Sequence, residues 1–391
     1  MFIDALKHQN PALIQAAHRL WQQGAILPDT YVIDVDQVME NGRRLLTAAE
    51  RHGITLYLMT KQLGRNPWLA QRLIALGFRG VVAVDFKETR TLRQAGVTVS
   101  HTGHLVQVPE SQVRKNIALP TEIITVFSLE KAQTISAAAQ RCGRVQPVML
   151  KIYADQDVLY PGQEAGFPLS ALDEVAAAIR SLPGVRLTGL THFPCLLWNE
   201  ARQQTQPTPN LHTLLCARDR LRAQGFDITQ INAPSASSCR TLPLLAKYGV
   251  THAEPGHALT GTLPANQHSD QPERIAMLYL TEVSHHFCGN SYCFGGGYYR
   301  RGHARHALVY PPSRQLAVPA RLLPLDDRSI DYHLPLAGEF PVGSAVVMCF
   351  RTQIFVTRSD VALVSGISSG NPVLTALYDS LGNQVSGGGH G

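Results

Sequence analysis

Charge is scarce in this chain. Asp, Glu, Lys and Arg make up only 16% of the 391 residues, against about 25% in an average soluble protein. A long basic run is also missing. The 35 Lys+Arg exceed the 29 Asp+Glu by 6, an excess too weak and too scattered for a nucleic-acid binder but suited to small anionic ligands. No stretch of about 18 uninterrupted apolar residues occurs. The opening MFIDALKHQNPALIQAAHRLW is amphipathic rather than a signal peptide, so no membrane segment is expected. The seven cysteines are an odd number scattered from Cys142 to Cys349. They are not a disulfide framework, and a reducing, cytoplasmic location is expected. No G-x-G-x-x-G follows a strand-like run, which weighs against a dinucleotide-binding open sheet.

What is present is a 45% hydrophobic chain, enough to bury a large core. The length suits one α/β barrel plus a smaller domain. YVIDV (31–35) reads as a strand, and a helical pattern starts at Asp36 and runs to Glu50. Eight strand-like runs follow: 55–60, 80–84, 97–100, 122–126, 147–152, 187–191, 228–232 and 250–253. Helical patterns lie between them over 67–76, 88–95, 129–141, 172–182 and 211–224. Asn66-Pro67 gives an N-cap with proline at the first helical position. Asp85 and Glu88 have the spacing of a capping box, and Gly225 stops its helix at C′. The fold class expected is α/β: a (β/α)8 TIM-type barrel followed by a C-terminal antiparallel β domain that also takes the N-terminal strand. The divisions are 1–37 (N-terminal helix and strand joining the β domain), 38–265 (barrel) and 266–391 (β domain). The tail SGGGHG reads as disordered.

Barrel chemistry collects at the C-terminal strand ends. In ITLYLMTK, period-two alternation puts Tyr57, Met59 and Lys61 on one face, so Lys61 would end a strand in the barrel mouth. It reads either as a Schiff-base lysine or as one that snorkels to the rim. LTGLTH ends in His192, a structural histidine, a base or a flat ring against a cofactor. NAPSASS offers Ser235, Ser237 and Ser238 before a helix start, either a phosphate cradle or an ordinary Ser-rich cap. EPGHALTG brings the carboxylate Glu254 and the close-approach residue Gly256. Phosphate sites in such barrels are frequently built after strands seven and eight. A lysine, a phosphate loop and a carboxylate in one mouth point to pyridoxal 5′-phosphate (PLP).

These segments resemble the alanine racemase-like, fold-type III PLP enzymes, over most of the chain from YVIDVD onward. The group also contains decarboxylases and lyases. LYLMTKQLG resembles the strand that carries the PLP lysine, which makes Lys61 the covalent anchor. GLTHFP resembles the segment whose histidine, here His192, stacks on the pyridine ring. The resemblance further implies Ser235 and Ser237 for the phosphate loop, and Gly256 and His257 in the loop after strand eight. HTGHLVQVP implies that His104 lines the site, and GNPVLTALYDSLG makes Tyr378 a phosphate contact. FGGGYYRRG is similar to the segment with the second catalytic tyrosine, Tyr298, or Tyr299 on spacing alone. In that family the tyrosine reaches across a homodimer with shared active sites.

Two departures bear on the reaction. Where alanine racemases place arginine at the ring nitrogen, this chain has Glu254, which would keep that nitrogen protonated. The racemase arginine after the Lys151 strand is missing, which leaves Lys151 between a supporting and a structural role. The expected activity is that of an amino-acid racemase or epimerase that is not a strict alanine racemase. A decarboxylase or lyase is the alternative, and a non-catalytic PLP carrier is a further one that the C-terminal β domain argues against. The expected substrate is a free amino acid; no nucleic acid, membrane or metal is expected. The His285, His286, Cys288 and Cys293 group has a metal-like composition but looser spacing than zinc sites favour. Cys288 reads alternatively as a catalytic acid facing the cofactor from the partner subunit. Arg300, Arg301, Arg305 and His306 read as a loop face or a carboxylate guide.

Overall fold

The computed structural model describes residues 2–313, 316–326, 328 and 330–385. The tail 386–391, expected to be disordered, lies outside the described residues. The chain divides into two compact units. One comprises Arg43–Thr60 and Ala70–Gly256; the other comprises the N-terminal stretch through Gly42, Lys61–Leu69, and the chain from His257 onward.

The first unit is the barrel. Its parallel strands are Thr55–Leu56 with Leu58–Met59, then Val81–Val82, Val99–Thr102, Ile123–Val126, Gln146–Tyr153, Val185–Thr191, Gln230–Asn232 and His252–Ala253. The opening strand is two short pieces broken at Tyr57. Thr55–Leu56 pairs with His252–Ala253, and Leu58–Met59 pairs with Val81–Val82, which brings the ring of strands back to its start. The strands are buried and rich in Val, Ile and Leu, as parallel strands covered on both faces must be. All eight expected strands are present. The helices Pro67–Leu76 and Leu129–Arg141 run over the residues the periodicity indicated. Asn66 Oδ1 accepts the Leu69 N–H at 3.0 Å, as an N-cap should.

The capping box forms by half. Asp85 accepts the Glu88 N–H at 2.7 Å, but the Glu88 carboxylate turns to the Val84 N–H and the Thr60 hydroxyl. Two donors inside the barrel unit outcompete the Asp85 N–H for it.

In the other unit seven strands run in the order Val318–Arg321, His306–Tyr310, Ala345–Met348, Met277–Phe287, Thr30–Asp34, Asp360–Ser365, Val373–Tyr378. The N-terminal strand Thr30–Asp34 joins this sheet as expected. It lies antiparallel to Met277–Phe287 and parallel to Asp360–Ser365. Helices Ile3–Gln9 and Pro11–Gln22 cover one face, burying Phe2, Leu6 and Leu13 with Leu278, Leu280, Val347 and Ala362. Gly297 lies where a Cβ would come within 2.2 Å of the Tyr279 ring, so the glycines before Tyr298 have a packing reason. No helix among the described residues is long and apolar enough to cross a membrane.

Candidate active site

In the barrel unit the site is built around Glu254, which follows the strand His252–Ala253 and is buried. Its Oε1 accepts from Asn232 Nδ2 at 2.7 Å and pairs with His101 Nδ1 at 3.2 Å. His104 Nε2 lies 3.5 Å from Oε2. Oε2 itself is buried and makes no hydrogen bond among the described residues. Burial pushes the carboxyl group's proton affinity up, but the charge of His104, the His101 hydrogen bond and Asn232 outweigh it and hold the pKa at about 2. Glu254 is therefore a carboxylate at every ordinary pH. Ser237 accepts the Glu254 N–H at 3.2 Å and so fixes its backbone. The next residue but one, Gly256, is buried as well.

His192 ends the strand Val185–Thr191, fully buried. Its Nε2 is 2.7 Å from Asp157 Oδ2, and its Nδ1 accepts the Phe193 N–H at 2.8 Å. An imidazole nitrogen that accepts has no proton, so the ring is neutral and protonated at Nε2. Asp157 is completed by the Ala154 N–H and by the Thr213 hydroxyl. Burial would raise its proton affinity, but these bonds, led by His192, lower it overall.

The Ser235 loop is strained. Ser235 has φ 102° and Ala236 φ 48°, conformations that non-glycine residues hold only where the surroundings impose them. The Ser235 hydroxyl is clasped by Leu196, accepting from its N–H and donating to its carbonyl. Both serine hydroxyls assigned to the phosphate are thus engaged within the protein. The backbone N–H groups of Ser235, Ala236 and Ser237 have no partner among the described residues, which leaves main chain rather than hydroxyls to receive an anion. Lys151 is buried over the Phe127 ring and donates to the Gln163 carbonyl at 3.1 Å. Burial, partly offset by Glu164, lowers its pKa to about 8.

The other unit holds Lys61, His257, Tyr298 and Tyr378. Lys61 is not on a strand. The first barrel strand stops at Met59, and Lys61 opens the 3-10 turn Lys61–Leu63. The break at Tyr57 ends the alternation on which its expected direction rested. His257 Nδ1 pairs with Thr262 Oγ1 at 3.0 Å. Burial, then the charges of Arg351 and Lys61, push the His257 pKa well down. Tyr298 is half-buried, and its N–H donates to Asp331 at 3.2 Å. The neighbouring Tyr299 hydroxyl accepts from Gln353 at 3.3 Å. Tyr378 is buried opposite Val361 at the end of the edge strand Val373–Tyr378.

The metal-like group is dispersed. Cys288 is exposed at a hairpin turn, whereas Cys293 is buried on the ladder with its thiol pushed up to about 12. His285 stacks on Tyr292, and His286 bonds the Phe340 carbonyl. Among the described residues no three His, Cys, Asp or Glu side chains are placed to hold a metal ion. Arg300, Arg301, Arg305 and His306 are all exposed.

Sequence reasoning missed His101, Asn232, Thr125 and Asp157. Two weak signals existed. HTGH carries two histidines around Gly103, whose Cβ would meet the Thr125 carbonyl at 2.5 Å and whose φ is +78°. Asn232 directly precedes the Ser-rich loop.

Residues 33–264 match the family described as alanine racemase, N-terminal domain, and residues 278–374 match the YhfX-like, C-terminal domain. The chain is 65% identical over 385 residues to the uncharacterized protein YhfX of Escherichia coli K12, covering 98% of this chain and all of that protein. Alanine racemase of Clostridium difficile 630 shares the fold with a TM-score of 0.63 and 16% identity over 91% of this chain and 99% of its own. Diaminopimelate decarboxylase of Helicobacter pylori does so with 0.65 and 13% over 94% and 97%. The chain belongs to the alanine racemase-like family of fold-type III enzymes, a PLP-dependent group.

Proposed function

We propose that this protein is a PLP-dependent enzyme acting on a free amino acid, an amino-acid racemase or epimerase other than a strict alanine racemase. The supporting observation is Glu254: a buried carboxylate, held ionised, with one oxygen bonded twice and the other bearing no hydrogen bond. A protonated pyridine nitrogen is the donor that such an oxygen suits. The N–H groups of 235–237, without a partner among the described residues, suit the phosphate. PLP, when bound, supplies an electron sink for the pair left at Cα.

The rest is the work of this chain. Lys61 would hold the cofactor covalently and, with its amine free, would take or return the proton at Cα. Tyr298 of a second copy in a homodimer serves the opposite face, since racemisation needs one base on each side. Glu254 keeps the ring nitrogen protonated. His192 is a fixed neutral ring whose single N–H, at Nε2, is held by Asp157 and whose Nδ1 accepts from the Phe193 N–H, so it lends a flat face and no proton. A second reading, a decarboxylase or lyase, is favoured by the same Glu254, because a strongly electron-withdrawing ring serves any bond cleavage at Cα and such reactions need only one proton donor.

The test is exchange of Cα hydrogen in deuterium oxide over a panel of L- and D-amino acids, with chiral analysis and carbon dioxide detection. Exchange with loss of optical purity is expected. Carbon dioxide release or a carbonyl product of carbon–carbon cleavage or elimination selects the second reading, and absence of all three refutes an amino-acid enzyme.

A further inference from the structure

Glu254 is unusual in being charged where charge is hardest to keep. Its side chain is 1% exposed. An isolated buried carboxyl takes up a proton rather than remain ionised. The groups that prevent this come from three places: Asn232 on the strand before it and His101 on the strand Val99–Thr102, which hydrogen-bond Oε1, and His104 in the loop after that strand, whose ring faces Oε2 at 3.5 Å as a charge.

His101 is the member with a second anchor. Its side chain is wholly buried, its Nδ1 faces Glu254 Oε1 at 3.2 Å, and its Nε2 lies 2.7 Å from Thr125 Oγ1 on the adjacent strand. With both nitrogens engaged the ring cannot turn away. The Thr125 hydroxyl can donate to Nε2 or accept from it. In the first arrangement His101 is neutral and donates through Nδ1. In the second it is a cation that compensates the carboxylate. Either way Glu254 receives an N–H and keeps Oε2 for another donor.

The rings of Tyr57 and His104 pack on His101 with centroids 5.6 and 5.2 Å away. The charge of Glu254 is also felt by Tyr57, His252 and Cys195. None of these three hydrogen-bonds it among the described residues. A threonine–histidine–glutamate string through the barrel interior departs from the branched apolar residues that usually fill such cores, so its polar groups have a task.

We propose that His101, anchored by Thr125, is a positioning residue that holds Glu254 ionised and turns its Oε2 toward the donor it serves. It touches neither cofactor nor substrate and acts through Glu254 alone. The cofactor role of Oε2 rests on the PLP reading above; the hold on Glu254 does not.

The test therefore starts with the ligand-free protein. Carboxyl 13C NMR with labelled glutamate, assigned by the loss of signal in Glu254→Gln, follows Glu254 across pH. The wild type and His101→Asn, whose amide can stand where Nδ1 stands, are expected to keep Glu254 ionised down to the acid limit of folding. His101→Phe is expected to raise the proton affinity of Glu254 about tenfold or more, the usual scale for one hydrogen bond to a charged group. Thr125→Val, which keeps the ring but frees it, is expected to give a smaller rise and carries the test if His101→Phe does not fold. A Glu254 titration unchanged in both His101→Phe and Thr125→Val overturns the proposal, as does a shift equal in His101→Asn and His101→Phe. The shift without any visible cofactor band in the PLP-treated protein supports the hold and refutes the PLP reading separately. With the band present, its pH profile should move in His101→Phe and be rescued in His101→Asn.

Discussion

Replacing Glu254 by glutamine removes one charge from the barrel interior and leaves the shape of the side chain in place. The amide oxygen can still accept from Asn232 and His101, so the variant should fold. What it loses is a pH-dependent contribution. Glu254 has its pKa lowered from the ordinary 4.5 to about 2 in the folded chain, by His104, His101 and Asn232 acting against burial. At about 1.4 kcal/mol per pH unit that drop corresponds to about 3 kcal/mol. The sign follows from proton linkage. A carboxyl whose folded pKa is depressed adds stability above its unfolded value, and that stability fades as pH falls through the folded value. Wild type should therefore lose about 3 kcal/mol relative to Glu254→Gln between pH ~4.5 and ~2. Urea unfolding midpoints of both proteins, measured in steps across that window, read the difference directly. Parallel curves would show that Glu254 is not held as a carboxylate and would refute the reasoning.

Other expectations are as specific. Lys151 has its pKa lowered from 10.5 to about 8 by burial, so wild-type stability should rise by about 3 kcal/mol between those pH values; Lys151→Met should abolish that rise and be the more stable protein at pH 7 in urea unfolding. Ala236→Gly relieves a left-handed alanine at φ 48° and should stabilise the ligand-free protein by about 1 kcal/mol, read as a higher urea midpoint; an unchanged midpoint removes the claim of strain. In 15N NMR His192 should show a bare Nδ1 and a protonated Nε2, and Asp157→Ala should destabilise by about 1–3 kcal/mol for each partner left unbonded. If Tyr298 completes the site of a second copy, mixing inactive Lys61→Ala and Tyr298→Phe subunits should restore about a quarter of wild-type turnover. No recovery on mixing would place both residues in the same subunit's site.

The barrel was legible because its strands are short apolar runs broken by turn residues, and because helix starts such as Asn66-Pro67 carry their own signals. YVIDV is legible as a strand, and its pairing with Met277–Phe287 and Asp360–Ser365 puts it in the β sheet expected to take it. Glu254 was legible as a carboxylate at a strand end. Its holders were not. His101 and Glu254 stand 153 residues apart in sequence, and Asp157 and His192 stand 35 apart. Nothing in local pattern records a contact that only the barrel's closure creates. Lys61 is legible by motif, but its direction rests on an alternation that is broken four residues earlier at Tyr57 and ends with the strand at Met59. The capping box had the right spacing and forms only by half, because the Glu88 carboxylate bonds the Thr60 hydroxyl and the Val84 N–H. The phosphate loop is legible as small residues whose backbone N–H groups and hydroxyls could cradle an anion; that Leu196 and the Glu254 N–H occupy the hydroxyls of Ser235 and Ser237 is not legible in the sequence.

PLP dependence is tested most directly by the visible absorption of the purified, PLP-treated protein beside its Lys61→Ala variant. A visible band in the wild type that is lost from Lys61→Ala after gel filtration is the expected result. A wild type without the band, or a band that survives the loss of Lys61, would contradict it.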